Sequence, residues 1–394
     1  MSRIYLDNNA TTPVEPAVLD AMLPFLSADF GNASSIHTFG QRARAAVETA
    51  REQVAALINA RPQEIIFTSG GTESDNHAIF GVAQALSAPR PSAHLITSSV
   101  EHEAVLNSCQ DLEKSGVAVT YLTVSRDGVV DPQDVRRAIR PETVLITVMH
   151  ANNELGTVQP LAEIGRIAAE HKICFHTDAV QSIGKIPVDT RALHLDLLSL
   201  SGHKLYAPKG IGAIFIKSGT RLRQLLFGGQ HQRGFRPGTE NVAGIAGLGK
   251  AAELARRLLT EDAPQISRLR DRLEQGLLAR IPDARANGAA APRTPNTSNM
   301  TFAGIEGEAL VIALDLQGLA CSTGAACSSG AVEPSHVLTA IGLPASEARA
   351  SLRFSLGRHT TAGEIDAALE IIPAAVERLR RLSPAYAKGT VAHR

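Results

Sequence analysis

The chain has 394 residues, 39 basic against 39 acidic, and is 44% hydrophobic, which suffices for a large core and for two or three domains. Balanced charge gives no global pull toward nucleic acid or an anionic membrane surface, and no apolar run approaches membrane-spanning length. The first dozen residues turn polar within a few positions and lack the apolar centre of a secretory signal, so the sequence reads as a soluble, cytoplasmic protein.

In chain order, a helix is predicted over 41–59, where Val47, Ala50, Val54 and Leu57 recur three or four apart. A short strand at 64–68 leads through Ser69-Gly70-Gly71-Thr72 into a second helix. Further strands are predicted at 94–98, 117–123, 143–149, 173–176, 195–200 and 212–217, with helices such as 160–171 between them. This alternation specifies an α/β fold built on a mainly parallel sheet covered on both faces. The continuous run Val144-Leu-Ile-Thr-Val-Met149 fits a strand buried on both sides. From about 259 the texture changes. A helix at 266–279, a Pro/Ala/Asn-rich connection at 282–296, a strand at 298–302 and a helix at 306–316 precede a Gly/Ser-rich loop around Cys327. A strand at 351–355 and a long helix at 362–382 complete a smaller α+β domain, against which the first dozen residues are expected to pack. The division expected is 15–258 for the large domain and 1–14 with 259–394 for the small one, with a loose tail from 383.

Two strand ends carry most of the chemistry. The apolar run at 195–200 passes into Ser199-Leu-Ser201-Gly-His203-Lys204, and the run at 173–175 into His176-Thr-Asp178-Ala-Val-Gln181. A lysine and an aspartate ending neighbouring core strands suit pyridoxal 5'-phosphate (PLP): the lysine forms the Schiff base, and the carboxylate keeps the pyridine nitrogen protonated so that the ring accepts electrons. Ser69-Gly70-Gly71-Thr72, read alone, is a plain strand-to-helix turn. Beside Lys204 and Asp178 it reads as a phosphate cradle at a helix N-terminus, with Ser201 and His203 as further donors. Gly247-x-Gly249-x-x-Ala252 lies within a predicted helix and not after a strand, which rejects it as a dinucleotide fingerprint.

Other positions stay open between two readings. His102 follows the strand at 94–98, on the edge where ligands gather in such sheets. It reads as a ring that stacks or moves protons, or as a surface helix cap. Asn152-Asn153-Glu154-Leu-Gly156 reads as a turn or as an amide contact to cofactor or substrate. Arg353 is a carboxylate fork or a solvent-facing strand position. Cys109, Cys174, Cys321 and Cys327 include no Cys-x-x-Cys pair, so neither a disulfide scaffold nor a structural zinc site is expected. Cys174 reads as a small hydrophobe. Cys327, in Ser322-Thr-Gly-Ala-Ala-Cys-Ser-Ser-Gly330, is a thiol that reaches a substrate or an incidental surface cysteine.

Taken together the motifs resemble the cysteine desulfurases of the NifS/IscS class, fold-type I PLP enzymes of the class V aminotransferase family. The resemblance runs through Tyr5-Leu-Asp-Asn-Asn-Ala-Thr-Thr12, Phe30-Gly-Asn-Ala-Ser-Ser35, Phe67-Thr-Ser-Gly-Gly-Thr-Glu-Ser-Asp-Asn76, His150-Ala-Asn-Asn-Glu154 and the two strand-end motifs. It continues through Arg236-Pro-Gly-Thr-Glu-Asn241, a NifS-like pattern, to Ala326-Cys-Ser-Ser-Gly330 and Glu333-Pro-Ser-His336. It implies a large, mainly parallel seven-stranded sheet domain, and removal of sulfur from L-cysteine to leave L-alanine. By the same resemblance, Lys204 is the Schiff-base lysine and then a base on the substrate. Asp178 pairs with the pyridine nitrogen, Gln181 contacts the ring hydroxyl, and His102 stacks on the ring and is a candidate for proton handling. Gly71, Thr72, Ser201 and His203 hold the phosphate, and Thr239 reaches the phosphate of the other subunit of a homodimer. Asn153 and Arg353 bind the substrate carboxylate, and Cys327 becomes a persulfide.

The cysteine loop is similar to the longer type in this family, which donates sulfur directly to acceptors such as an iron–sulfur scaffold protein or a tRNA-thiolation enzyme. No intrinsic metal site is implied, although Cys327 could transiently ligate a cluster together with a scaffold partner. No direct nucleic-acid or membrane partner is implied. One departure is Gly228-Gly-Gln-His231-Gln-Arg233, where the family commonly has an acidic residue near His231. The alternatives are a selenocysteine lyase or other PLP lyase on the same scaffold, and a non-catalytic sulfur-relay partner. Intact Lys204, Asp178 and Cys327 speak against the last.

Overall fold

The computed structural model describes residues 3–86, 93–323 and 333–382. Its strands are β1 (Ile4–Tyr5), β2 (Ile65–Thr68), β3 (His94–Ser98), β4 (Ala118–Leu122), β5 (Thr143–Thr147), β6 (Cys174–Asp178), β7 (Leu197–Ser201), β8 (Gly212–Ile216), β9 (Ala284–Asn287), β10 (Thr297–Phe302), β11 (Leu319–Ala320) and β12 (Ser351–Ser355).

Strands β2 to β8 form one seven-stranded sheet in the order β2-β8-β7-β6-β5-β3-β4. Only β8 runs against the rest, antiparallel to both β7 and β2. Side chains alternate between the faces of a strand, and here both faces are apolar. Ile65, Ile96, Ile146 and Leu198 enter one core with Val47, Ile164 and Leu248 of the helices Thr38–Leu57, Leu161–His171 and Val242–Arg280. Their neighbours Ile66, Leu95, Leu145 and Leu197 enter a second core with Ile79 and Val105 of the helices Gly71–Leu86 and Glu103–Lys114. Helices on both faces are why these strands read as unbroken apolar runs.

A separate antiparallel sheet, β12-β10-β9, has a core of its own that includes Leu273, Leu277, Phe302, Phe354 and Ile365. Strand β1 pairs with β11, and Ile4 and Leu6 join this core.

Two elements differ from the sequence reading. The helix expected at 266–279 is the second half of a 39-residue helix, Val242–Arg280, and the expected boundary after 258 falls inside it. Pro264 within this helix looks like a stop in the sequence, because proline forfeits a backbone hydrogen bond. The helix persists because its first half buries Ile245, Leu248 and Ala252 under the large sheet and its second half buries Leu273 and Leu277 under the small one. Strand β9 lies in the stretch at 282–296 that read as irregular. It is a four-residue edge strand of Ala, Arg, Ala and Asn, whose alternation rests on alanines alone and is too short and weak to betray it. Among the described residues no helix is long and apolar enough to cross a membrane.

Candidate active site

The carboxyl ends of β2, β3, β6 and β7 converge on a cavity of about 380 Å³. Asp178 ends β6 and is in register with Ser199 of β7. Beyond Ser201 the chain makes one 3-10 turn, Gly202–Lys204, which sets Lys204 just past the sheet edge. Gly71, Thr72, His102, Asn153, Asp178, Gln181, Ser201, His203, Lys204 and Arg353 all line this cavity. Cys327 lies outside the described residues, although Ser322, which precedes its loop, is on the cavity wall. Thr239 is exposed and is not on the wall of its own chain's cavity.

Lys204 Nζ donates to the carbonyls of Asn9 at 2.5 Å and Ala10 at 2.7 Å. Burial lowers its pKa to about 8; the nearby Arg353 charge adds to this, while Asp7 and Asp178 oppose it. The result is an amine that sheds its proton close to neutral pH, as a lysine that must act as nucleophile and base requires.

Burial pushes the Asp178 carboxyl up, against the pull of His102, the Val180 N–H and Lys204. Its Oδ1 accepts from Val180 N at 2.8 Å. A carboxylate so desolvated is best satisfied by a cation set against it, and an N-protonated pyridine ring supplies one.

At Gly71 an added Cβ would lie 2.7 Å from Val180 Cγ2 and 3.7 Å from Ser201 Cβ. The start of helix Gly71–Leu86 therefore comes closer to the β6 and β7 ends than any side chain there would permit. The first-turn N–H groups of a helix have no partner within it and favour an anion. Glu73 fixes this turn by accepting from Ser69 N at 2.9 Å and pairing with Arg236 Nε at 2.9 Å, which ties it to the loop that carries Thr239. His203 bonds Thr11 Oγ1 at 3.2 Å through Nδ1. Burial, with Lys204 and Lys209, holds its pKa down at about 4, so it is a neutral hydrogen-bonding ring. One wall thus carries a helix N-terminus with neutral donors beside it and a buried carboxyl, a donor set that fits the phosphate and the ring nitrogen of PLP.

His102 is a helix cap that also borders the cavity. Its Nδ1 accepts from Ala104 N at 3.1 Å and caps helix Glu103–Lys114, while the ring lines the cavity. Arg353 is buried and does not face solvent. Its Nη1 donates to Asn153 O at 3.0 Å and its Nη2 to Asp7 Oδ1 at 2.8 Å, while Nε is buried without a partner among the described residues. That unpaired donor suits an incoming carboxylate.

Sequence reasoning missed two residues. Asn9 has no distinguishing mark within Tyr5-Leu-Asp-Asn-Asn-Ala-Thr-Thr12, yet it is the hub of the wall. Its carbonyl accepts from Lys204 and Gln181, and its side chain bonds Lys185, Asn153 O, Thr297 and Asn296. Lys185 drew no attention, and the one available signal was its i+4 spacing from Gln181.

The family model described as Aminotransferase class-V matches residues 4–368. The cysteine desulfurase of Trichormus azollae is 53% identical over 98% of this chain and 95% of its own length. The cysteine desulfurase IscS of Dictyoglomus turgidum is 51% identical over 97% of this chain and 96% of its own. Among solved structures, a NifS-like protein superposes with a TM-score of 0.89 at 36% identity, covering 96% of this chain and 100% of that one. A structure described as SspA in complex with cysteine does so with a TM-score of 0.81 at 40% identity, covering 91% and 100%.

Proposed function

The chain belongs to the class-V aminotransferase family, and on that premise we infer that it is a PLP-dependent cysteine desulfurase, taking sulfur from L-cysteine to leave L-alanine and a persulfide on Cys327. The observation that carries this reading is one cavity shared by a buried carboxylate, Asp178, a lysine with its pKa lowered to about 8, Lys204, and the unpaired buried donor of Arg353.

When bound, PLP supplies an electron sink next to the substrate Cα. Lys204 anchors the cofactor and then moves the α-proton, for which a pKa near 8 suits it. Asp178 holds the ring nitrogen, Gln181 the ring oxygen, and His102 covers the ring. Gly71, Thr72, Ser201 and His203 hold the phosphate. Arg353 and Asn153 orient the substrate carboxylate. Cys327, as thiolate, attacks the substrate sulfur: the S–S bond forms as the Cβ–S bond breaks, the electron pair returns to carbon, and protonation there gives alanine.

The protein acts as a homodimer in which Thr239 serves the partner's phosphate site. An exposed apolar cluster supports this: Leu23 is 49% exposed, Leu26 63%, Phe30 69% and Ile36 91%, all within one stretch of chain. The persulfide passes to an acceptor such as an iron–sulfur scaffold protein or a tRNA-thiolation enzyme. A reducing cytoplasm suits a chemistry that depends on a free thiol, and among the described residues Cys109, Cys174 and Cys321 form no disulfide.

The test is release of alanine and sulfide from L-cysteine with a reductant, in the parent protein and in Cys327→Ala. Equal amounts of the two products, lost in the variant while the PLP absorbance stays, are expected. Equal activity in both would rule out a persulfide on Cys327.

A further inference from the structure

Behind the cofactor wall, and not on the cavity itself, lies a second amine to which the proposed reaction gives no task. Lys185 Nζ donates to Gln181 Oε1 at 2.6 Å and to Asn9 Oδ1 at 2.9 Å. Both acceptors are neutral amide oxygens. Gln181 Nε2 in turn donates to the Asn9 carbonyl at 3.0 Å, the same oxygen that receives Lys204 Nζ at 2.5 Å. Lys185, Gln181 and Asn9 thus close a ring of hydrogen bonds, and Lys204 rests on one of its members. Asn296 Nδ2 braces the ring from outside by donating to Asn9 Oδ1 at 2.9 Å.

The consequence lies in the direction of one amide. A glutamine side chain can turn by half a revolution and exchange its donor for its acceptor at little steric cost. Lysine in its charged form is a donor only; in its neutral form its lone pair could accept, but a turned Gln181 amide would then set Oε1 against the Asn9 carbonyl, acceptor against acceptor. In either state Oε1 of Gln181 therefore faces Lys185. Its Nε2 is then committed to the Asn9 side, and the second Nε2 hydrogen is left for the cavity that Gln181 lines. Burial, with Lys204 and Arg353 nearby, holds the Lys185 amine well below its ordinary pKa, consistent with a lysine kept for its hydrogen bonds and not for its charge.

We propose that Lys185 is a positioning residue of the cofactor site: it locks the Gln181 amide with its N–H toward the ring oxygen of the cofactor. The proposal builds on the reading of this cavity as a PLP site. An N–H aimed at the ring oxygen favours the form of the bound cofactor with more negative charge there, which is the deprotonated form. Losing that N–H raises the pH at which the cofactor's visible absorbance titrates.

The test uses the full-length protein reconstituted with PLP, as wild type, Lys185→Met, Lys185→Gln, Gln181→Ala and the Lys185→Met/Gln181→Ala double variant. Each is titrated with pH by visible absorbance. Failure of the wild type to take up PLP would sink the PLP reading itself, and is distinguishable from every other outcome. With PLP bound, Lys185→Met is expected to raise the absorbance midpoint by about half a pH unit or more, a sub-kcal/mol to 1 kcal/mol effect in size. The same substitution is expected to shift nothing in the Gln181→Ala background, because Lys185 acts through Gln181. Lys185→Gln, which keeps a donor at this position, is expected to stay within about 0.2 unit of wild type. An unchanged midpoint in Lys185→Met, or an equal shift without Gln181, overturns the proposal. Should Lys185→Met not fold, Lys185→Gln decides: a shift of about half a unit there overturns it equally.

Discussion

Gly71→Ala isolates the fit of the phosphate cradle. Gly71 is not among the glycines with positive φ, so its backbone accepts alanine, and in a helix that exchange ordinarily stabilises by up to about 1 kcal/mol. Contact reverses the sign. The new Cβ would sit 2.7 Å from Val180 Cγ2, whereas carbon atoms rest at roughly 3.5–4.0 Å. About 1 Å of movement is needed, and Val180 cannot easily provide it: valine is stiff at χ1, and the Val180 N–H holds Asp178 Oδ1 at 2.8 Å. Overpacking of this kind costs about 1–3 kcal/mol. If the strain falls on the bound state, PLP affinity drops roughly 5- to 150-fold. Equilibrium titration of the apoprotein with PLP measures it, with thermal unfolding of the apoprotein as the check on fold. Val180→Ala removes the offending methyl groups, so the Gly71→Ala/Val180→Ala double variant is expected to recover most of the loss. Wild-type affinity in Gly71→Ala, or no recovery in the double variant, would refute the steric reasoning.

The pKa of about 8 at Lys204 makes about one in ten molecules a free amine at pH 7, against fewer than about one in a thousand for an ordinary lysine. The rate of PLP capture by apoprotein is therefore expected to rise with pH and level off above about pH 8; a rise that continues toward pH 10 would contradict the burial argument. Asp178→Asn removes a carboxyl whose pKa folding raises. A raised carboxyl pKa means that the folded state holds the extra proton, so stability falls as pH rises. The asparagine variant is accordingly expected to melt higher than wild-type apoprotein at pH 8 while losing at least about 100-fold in kcat, and a lower apo Tm would count against the reading. Arg353→Lys keeps the charge but loses the fork and the unpaired Nε donor. A rise in KM for L-cysteine of roughly 10-fold or more is expected, and an unchanged KM would place the substrate carboxylate elsewhere.

How much of this was legible in the sequence follows from the range of each interaction. Strands β5 and β7 announce themselves because both faces are buried, so Leu, Ile and Val dominate them and the only polar members are small hydroxyls, Thr143, Thr147, Ser199 and Ser201. Lys204 and Asp178 stand out as the charges that end such runs. The cradle is legible for a similar reason: two glycines between a buried strand and a helix are unusual enough to require explanation, and the approach to Val180 supplies it. Strand β9 escapes because its alternation spans only four residues and its apolar members are alanines, too small to mark a strand without the pairing with β10. The long helix Val242–Arg280 escapes because its two halves answer to different cores, and no local pattern says that one rod will serve both.

The wall around Asn9 lies furthest from sequence reasoning, and the cause is geometric. Asn9 Nδ2 reaches Thr297 across 288 positions of chain, its carbonyl reaches Lys204 across 195, and its side chain reaches Lys185 across 176. None of these separations has a local signature. What makes the residue indispensable is that the amino end of the chain is drawn in by β1 and β11 beside the small sheet and then crosses the mouth of the large one. Lys204 therefore has its acceptors on a segment anchored in the other core. Any change that loosens β1 is felt at the lysine, which couples the packing of the small sheet to the chemistry at the edge of the large one.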